Sequence, residues 1–200
     1  AIHIGRMAET LFTTGGGGLL SVLGDDELPV YQREGNVEIV RYARPESNYL
    51  RRALGYRREL AALLDGQAAS LRLGHFRDPW SGVPLLARAG RAYATIYEVN
   101  GLPSIELPAR YPALAPPTLA KLRAAEAFCW SAADRLIVPS ATLRDNLIGL
   151  GAPAEKIVVI PNGADLPPPV PPPAGAPARY LLYFGALQPW QGVDVLLRAF

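Results

Sequence analysis

The sequence predicts an α/β protein with a Rossmann-like parallel sheet that carries helices on both faces. The main observation is the stretch 136–163, where an apolar strand, a capped helix and a second apolar strand follow one another. Such a βαβ unit joins parallel strands through a crossover helix. A second observation is that two further strands upstream each end in a polar segment. The chain opens and closes inside helical patterns, so we expect a domain cut at both ends and lacking its first strand.

The composition limits the classes of function. The chain has 200 residues, of which 50% are hydrophobic, so it can bury a sizeable core. A net charge of +2 gives no reason to expect a nucleic-acid partner. The single cysteine, Cys129, excludes an intrachain disulfide framework and is interpreted as buried filler. With no apolar run of about 18 residues and no signal peptide, the default expectation is a cytoplasmic protein.

The amino-terminal part predicts a helix and then a strand. Ile4, Met7 and Leu11 fall on one helical face, and the glycines 15–18 end the helix before the strand Leu19 to Leu23. These glycines follow a helix and precede a strand, and no G-x-x-x-x-G-K-[ST] is present. They therefore indicate a flexible turn more than a phosphate-binding loop, because such a loop needs its glycines directly before the N-terminus of a helix.

A strand around Val37 to Val40 is followed by a predicted helix from Pro45 to about Asp65. This helix carries four arginines, Arg51, Arg52, Arg57 and Arg58. Two interpretations stay open. The arginines are a solvated helix face, or they contact an anionic membrane surface or a phosphate-bearing acceptor.

Polar side chains follow two neighbouring predicted strands, 69–76 and 93–97. The segment 75–82 follows the first strand and the segment 98–106 follows the second. Because ligands of open α/β sheets bind beyond the carboxyl ends of the strands, we expect both segments to form loops around one cleft. A structural alternative stays open for several residues. Asp78 can cap a turn, His75 can be a satisfied core histidine, and Asn100 with Gly101 can be a plain turn.

The carboxyl-terminal half predicts a long helix over 117–134, a strand at Leu136 to Val138 and a strand at Lys156 to Ile160. Between these strands Ser140 is suited to cap a helix and Gly151 to end it. The proline-rich segment 166–178 predicts an extended spacer. We therefore divide the chain into a first domain over 1–165, a linker over 166–178, and the start of a second domain over 179–200.

The second domain is predicted to begin with a strand from Arg179 to Phe184, a loop, and a helix from Gly192 to Phe200. The helix has its apolar residues at spacings that predict one inward face. These residues are Val193, Leu196, Leu197 and Phe200.

Four stretches resemble one family. The stretch VPSATLRDNLIGLG…EKIVVIPNGAD is similar to the end of the N-terminal domain in retaining glycosyltransferases of the GT-B fold, family 4 type. HFRDPWSG and YEVNGLPSIELPARYP resemble the acceptor-side loops of a bacterial subgroup. YLLYFGALQPWQGVDVLLRAF resembles the first strand, loop and helix of the donor-binding domain.

The resemblance implies an enzyme that moves a sugar from a nucleotide-sugar, such as a UDP- or GDP-sugar, with retention of configuration. The implied acceptor is a glycan, a lipid-linked molecule or a small molecule, as in polysaccharide biosynthesis. It implies no cofactor and no metal ion, because helix dipoles and side chains stabilise the leaving diphosphate. Apart from the resemblance, the lack of a long apolar run and the four arginines of the second predicted helix lead us to expect a cytoplasmic protein with peripheral contact to the inner face of the membrane.

The resemblance also implies site residues. Relatives have a histidine near the start of the second loop, where this chain has Glu98, so Glu98 and His75 become the candidate catalytic residues. The implied acceptor-binding residues are Arg77, Asp78, Asn100 and Ser104, and the implied donor-binding residues are Gly185, Gln188, Gln191 and Gly192.

Two basic positions of the family's donor loop are replaced. Relatives usually carry an Arg and a Lys where this chain has Ala186 and Gln191. The family's two-glutamate motif falls outside this sequence. We therefore expect the 200-residue chain alone to be inactive, and a non-catalytic GT-B-like partner or scaffold module is the alternative.

Overall fold

The computed structural model describes the chain except residues 1, 26, 45, 165–167, 169, 172, 174, 178, 186 and 188–190, and except the side chains of residues 2 and 3. Its helices are α1 (Ile2–Gly15), α2 (Tyr49–Gln67), α3 (Pro79–Leu86), α4 (Pro103–Arg110), α5 (Pro116–Ala132), α6 (Ala141–Gly149) and α7 (Val193–Ala199). Its strands are β1 (Gly18–Leu23), β2 (Tyr31–Glu34), β3 (Val37–Tyr42), β4 (Leu73–Phe76), β5 (Ala94–Glu98), β6 (Arg135–Val138) and β7 (Ile157–Val159).

The larger sheet is parallel and confirms the predicted α/β class. It has four strands in the order β4-β5-β6-β7. The register pairs Phe76 with Tyr97 and Tyr97 with Leu136, so neighbouring strands end at the same edge. Side chains of Tyr97, Leu136, Val138 and Leu147 are fully buried between the sheet and its helices. This burial on both faces explains why the strands are short apolar runs.

A second, three-stranded sheet departs from the single sheet that we predicted. Its order is β1-β3-β2, with β1 and β3 parallel and β2 antiparallel to β3. The sequence analysis missed β2, because Tyr31–Glu34 is a polar edge strand with little burial. Its hairpin turn to β3 contains Gly35 at φ 58°, a left-handed conformation that glycine adopts at no steric cost.

The glycines after α1 end the helix, as the turn interpretation predicted. Gly16 has φ 81° and Gly17 has φ 128°, both unfavourable for residues with a side chain. The Gly17 N–H donates to the Phe12 carbonyl over 2.8 Å, which satisfies a terminal carbonyl of the helix. The chain then passes directly into β1.

Two predicted boundaries were wrong. The second helix was predicted from Pro45, which lies outside the described residues, and it begins at Tyr49, because the Asn48 side chain accepts the Arg51 N–H over 3.0 Å and caps it there. The strand predicted from Ala69 begins only at Leu73, because Ala68–Ser70 forms a 3-10 turn that continues α2.

The segments 75–82 and 98–106, predicted as loops, contain the first turns of α3 and α4. Each helix begins with a proline at its first position, Pro79 and Pro103, where the missing N–H costs nothing. Both helices also contain an internal proline, Pro84 in α3 and Pro108 in α4. An eight-residue proline-containing helix has too little periodicity to be recognised from the sequence.

Tyr97 contributes a polar atom to this core. Its side chain is fully buried and stacks on Phe76 with ring centroids 4.7 Å apart. Within the part of the chain that the structure describes, the Tyr97 hydroxyl has no hydrogen-bond partner. Burial raises the pKa of this hydroxyl, so it stays protonated throughout the ordinary pH range.

We expect Tyr97→Phe to leave the free energy of unfolding unchanged or to raise it by about 1 kcal/mol, since it removes a buried hydroxyl without a partner. Urea denaturation of both proteins measures the difference. A loss of stability would show instead that the hydroxyl is satisfied by an internal water molecule.

A polar latch joins the start of β5 to the end of α5. One oxygen of Asp134 accepts the Thr95 N–H over 2.8 Å, the Thr95 hydroxyl over 2.7 Å and the Arg91 guanidinium over 2.9 Å. Arg91 also donates to the carbonyl of Ala132 over 3.0 Å. These donors, Arg91 first, lower the pKa of the Asp134 carboxyl to about 2.

This latch gives the protein an acid-sensitive component of stability. The folded pKa of Asp134 lies below its unfolded value of about 3.9, so the unfolded chain binds more protons between these values. The latch therefore stabilises the fold above about pH 4, and this stabilisation is lost as the pH falls toward about 2. We expect Asp134→Asn to lower the free energy of unfolding at pH 7. Near pH 2 most of this difference from the unsubstituted protein should disappear.

Urea denaturation of both proteins across this pH range tests the latch. Asp145→Asn, which changes an exposed carboxylate that pairs with its neighbour Arg144, serves as the control. A pH-independent difference between Asp134→Asn and the unsubstituted protein would contradict the expectation.

The last part of the chain differs from its predicted structure. Arg179 to Phe184 is not a strand, and Phe184 is 97% exposed. An isolated strand is not stable, and no described segment pairs with this one. The predicted helix is present as α7, but its predicted inward face is wrong, since Leu197 and Phe200 are exposed. Much of the linker 166–178 lies outside the described residues.

Candidate functional site

Glu98 is the centre of a buried polar cluster at the carboxyl edge of the four-stranded sheet. It is the last residue of β5 and is only 4% exposed. His75 lies on the neighbouring strand β4, and Arg77 follows the end of that strand. Asn100 belongs to the connection between β5 and α4. We call His75, Arg77, Glu98 and Asn100 the Glu98 cluster.

Three side chains converge on the Glu98 carboxylate. The Asn100 amide donates a hydrogen bond to Oε1 over 2.6 Å. The Arg77 Nε atom lies 3.1 Å from the same oxygen, and the His75 Nε2 atom lies 3.2 Å from Oε2. The Arg77 and His75 contacts have ion-pair distances, although these two nitrogens are not aligned for hydrogen bonds. The sequence therefore predicted the right neighbours, because adjacent parallel strands end together.

The environment of Glu98 explains why the cluster holds together. A carboxylate is costly to bury unless cations and hydrogen-bond donors surround it. Arg77 supplies a fixed positive charge, His75 supplies one when protonated, and Asn100 supplies an amide donor. Glu98 in turn fixes the orientation of these three side chains beside the cavity described below.

Asp78 and Ser104, two predicted acceptor-binding residues, have partners within the fold. The Asp78 carboxylate accepts the Ser81 N–H over 2.9 Å and caps α3. Burial raises the pKa of the Asp78 carboxyl. The Ser104 N–H donates over 2.7 Å to Glu126, a carboxylate of α5 that is almost fully buried. Both residues stand at the starts of the helices that border the cluster, and contact with an acceptor remains a prediction.

The structure adds residues that the sequence analysis did not single out. Tyr49 of α2 and Trp80 of α3 line the same cavity as Glu98, and so does Arg52, one of the four arginines of α2 that the sequence analysis named. The Tyr49 and Trp80 rings meet edge to face with centroids 6.5 Å apart. Trp80 could have been assigned to the site from the sequence, because it closely follows the polar residues at the end of β4. Tyr49 could not, because its position beside the cavity depends on where α2 begins.

A cavity of about 920 Å³ extends from the Glu98 cluster between the two sheets. His75, Arg77 and Glu98 line one end of it, and the strands β1 and β4 line its length. Residues from α1 and α2 complete the walls. The cluster therefore faces a space large enough for a small ligand.

The predicted donor-binding residues lie near α7. Gly185 has φ 156° and Gly192, which precedes α7, has φ 67°. The Gln191 side-chain oxygen accepts a hydrogen bond from the Tyr183 hydroxyl. Gln188 and Ala186 lie outside the described residues. These four donor-site residues therefore remain predictions.

Two further structural findings concern metals and membranes. Among the described residues, no three or more His, Cys, Asp or Glu side chains come together in a way that could bind a metal ion. No helix in the described part of the chain combines the length and the apolar character needed to cross a bilayer.

Fold and site together define an α/β protein with a polar cluster beyond the carboxyl ends of two parallel strands, where such folds bind their ligands. The family model of Glycosyltransferase Family 4 matches residues 10–167, and the chain belongs to this family of GT-B glycosyltransferases. The protein is therefore a glycosyltransferase.

Solved structures support the fold. Seven chains match, among them sucrose-phosphate synthase from Thermosynechococcus elongatus. That chain is 15% identical in sequence, with a TM-score of 0.59, and the match covers 82% of this chain and 86% of the other. At this identity the likeness concerns the fold alone. No curated protein sequence matches the chain.

Proposed function

We propose that the protein transfers a sugar from a nucleotide-sugar donor, such as a UDP- or GDP-sugar, to an acceptor bound beside the Glu98 cluster. The acceptor is a glycan, a lipid-linked molecule or a small molecule, and the transfer retains the anomeric configuration, as in polysaccharide biosynthesis. The observation that carries this proposal is the buried Glu98 carboxylate, which lines the cavity together with His75 and Arg77 in a family 4 chain.

In this proposal the reacting hydroxyl of the acceptor approaches Glu98. A carboxylate accepts hydrogen bonds from hydroxyls, whereas Arg77 and His75 donate to neighbouring sugar oxygens. Asn100 holds the carboxylate in place through its 2.6 Å hydrogen bond. Glu98 and His75 are thus the proposed catalytic residues, and Arg77 and Asn100 the proposed acceptor-binding residues, with Asp78 and Ser104 at the border.

The aromatic side chains of Tyr49 and Trp80 suit the apolar face of a sugar ring. Both line the cavity next to Arg77, and Trp80 is largely buried. An aromatic wall opposite polar groups is the usual composition of a small-molecule site. The acceptor would therefore be held by ring contact on one side and by hydrogen bonds to the Glu98 cluster on the other.

The donor would bind across the cleft on the second domain, near Gly185, Gln188, Gln191 and Gly192. Glycine lets the backbone approach a diphosphate, whose charge backbone N–H groups stabilise. We propose that neither a metal ion nor a cofactor takes part. The 200-residue chain alone would then be inactive, and the natural polypeptide that includes the donor-binding domain would be active.

The location that we propose is cytoplasmic, with peripheral contact to the inner face of the membrane. Arg51 and Arg58 are exposed on α2, and Arg57 and Arg58 line a surface pocket together with Arg88. Guanidinium groups attract the phosphates of anionic lipids. We expect no nucleic-acid partner. Cosedimentation with vesicles containing anionic lipid tests the contact, and Arg58→Gln is expected to weaken it.

Calorimetric titration of UDP, GDP and their sugar conjugates into the natural polypeptide tests the proposed function. We expect one nucleotide-sugar to bind and to be consumed when an acceptor is added. The product's anomeric configuration, read by NMR, tests retention. If no nucleotide binds, the alternative of a non-catalytic partner module replaces the proposal.

A further inference from the structure

A carboxylate stands on the buried face of α5, where apolar residues are expected. Leu122, Glu126 and Cys129 lie about one turn apart on the side of α5 that faces the core, and Glu126 is only 1% exposed. Burying a carboxylate costs free energy unless hydrogen-bond donors or cations surround it. Burial accordingly raises the pKa of the Glu126 carboxyl. The position of Glu126 therefore calls for a partner that an apolar side chain could not serve.

The partner of Glu126 is the first N–H group of α4. This helix begins with Pro103, which has no N–H, and its N-cap residue is Leu102, whose side chain cannot accept a hydrogen bond. The Ser104 N–H is therefore the first donor of the helix, and it donates to Glu126 Oε1 over 2.7 Å. The next two N–H groups bond to the Leu102 carbonyl. Glu126 thus takes the place of an N-cap side chain, although it lies 22 residues further along the chain.

This contact joins two buried groups and stabilises the start of α4. Ser104 is only 7% exposed, so its N–H has little access to bulk water. A buried N–H that loses its acceptor costs more free energy than the hydrogen bond itself contributes. A negative charge is also favourable here, because the partial charge at the N-terminus of a helix is positive. Glu126 therefore fixes the place where α4 begins.

The start of α4 in turn determines the position of Asn100. The connection 99–102 joins β5 to α4. Val99 is held at one end of it, since its N–H donates to a carbonyl of β6 over 2.8 Å. The contact of Glu126 with α4 holds the other end. Asn100 lies between these two anchors and donates its 2.6 Å hydrogen bond to Glu98 from there.

The connection 99–102 has little room to absorb a movement of α4. Its residues Val99 and Leu102 are buried. A Cβ atom on Gly101 would collide with the Glu106 carboxylate, so the backbone of the connection runs close against this side chain of α4. A displacement of the start of α4 is therefore passed on to Asn100.

We propose that Glu126 is a positioning residue of the Glu98 cluster. It fixes the start of α4 and the connection 99–102, and thereby the Asn100 amide that orients the Glu98 carboxylate beside the cavity. Glu126 does not itself line that cavity. The expected effect on sugar transfer rests on the proposed function, whereas the expected effect on the backbone of the connection does not.

The test compares Glu126→Leu with Glu126→Gln in the natural polypeptide that includes the donor-binding domain. Leucine is apolar and offers no acceptor, whereas glutamine keeps a carbonyl oxygen for the Ser104 N–H. We expect Glu126→Leu to lower kcat for sugar transfer by about tenfold or more, with the KM for the nucleotide-sugar within about twofold. Glu126→Gln should keep kcat within about threefold of the unsubstituted protein, since the hydrogen bond is retained.

Asp134→Asn is the matched control for a loss of stability. Asp134 joins the start of β5 to the end of α5, whereas Glu126 acts near the other end of the same strand. The control therefore weakens the same part of the fold away from the Glu98 cluster, and its kcat should stay within about twofold of the unsubstituted protein. If kcat falls in both variants in proportion to their melting temperatures, the proposal is overturned, because Glu126 then only stabilises the fold.

A double-mutant cycle shows whether Glu126 acts through Glu98. In the Glu98→Gln background, Glu126→Leu should lower kcat by less than about twofold, because residues that act through one group have non-additive effects. Additive effects of the two substitutions would contradict the proposal.

Amide hydrogen exchange, measured by mass spectrometry, tests the backbone without any activity. Amides of the segment 99–106 should exchange at least about tenfold faster in Glu126→Leu, while those of β6 stay unchanged. Unchanged exchange over 99–106 would overturn the proposal. If Glu98→Gln transfers sugar normally, the proposed function of Glu98 fails, and the exchange result alone decides whether Glu126 positions the connection. If Glu126→Leu does not fold, Glu126→Asp, whose shorter side chain does not reach the Ser104 N–H, is expected to give the same pattern.

Discussion

Glu98→Gln is expected to lower kcat/KM for sugar transfer by about 100-fold or more in the natural polypeptide, as loss of a catalytic proton acceptor does in other enzymes. The substitution keeps the size of the side chain and its contact with Asn100. It removes the negative charge that lies within 3.1 Å of Arg77 and 3.2 Å of His75. Arg77 then loses the negative charge beside its guanidinium, and the acceptor hydroxyl loses its strongest hydrogen-bond acceptor.

The measurement separates binding from catalysis. Nucleotide affinity should stay within about twofold, because we place the donor on the other domain, while kcat falls. Glu155→Gln changes an exposed carboxylate outside the cluster and should leave kinetics unchanged. If the Glu98→Gln protein has a normal kcat/KM, Glu98 is not a catalytic residue and has a structural role only.

Gly82→Ala is expected to lower the free energy of unfolding by about 1–3 kcal/mol, the range for overpacking a close-packed core. A Cβ atom at this position of α3 would lie 2.8 Å from the Cys129 sulfur and even closer to the Phe76 ring. Phe76 cannot move aside easily, since it is buried and stacked on Tyr97. The gain in helix propensity from alanine is smaller than this steric cost.

Gly66→Ala is the matched control for this prediction. Gly66 lies in α2, and a Cβ atom there would meet nothing within 4 Å. Alanine should therefore raise stability by about 0.5–1 kcal/mol through helix propensity alone. Urea denaturation of both variants gives the comparison. Equal effects of the two substitutions would show that the packing of α3 against β4 and α5 tolerates a methyl group.

Local signals explain what the sequence predicted well. The unit β6-α6-β7 was recognised because Ser140 caps α6 and Gly151, with φ 95°, follows its end. Both ends of this helix are therefore determined by residues close to them in sequence. The composition of the Glu98 cluster followed from one topological rule, since adjacent parallel strands end at one edge. That rule needs only the strands, and β4 and β5 were both predicted.

Features that depend on distant partners were not predictable in the same way. The Asp134 latch joins residues far apart in sequence, and an aspartate after a helix gives no sign of it. The polar strand β2 is stabilised by pairing with β3 rather than by its own apolar pattern. Arg179 to Phe184 shows the reverse case, in which a strongly apolar pattern does not make a strand without a partner.

The connections around the site give it a nearly fixed backbone. Only Arg77 and Asp78 separate β4 from α3, and proline begins the helix at once. The connection from β5 to α4 is anchored by Val99 and Leu102, both buried. Short anchored connections cannot rearrange to admit a new ligand. We therefore expect changes of acceptor preference in this protein to come from single substitutions of side chains around the site. The backbone and the lengths of the connections should change little.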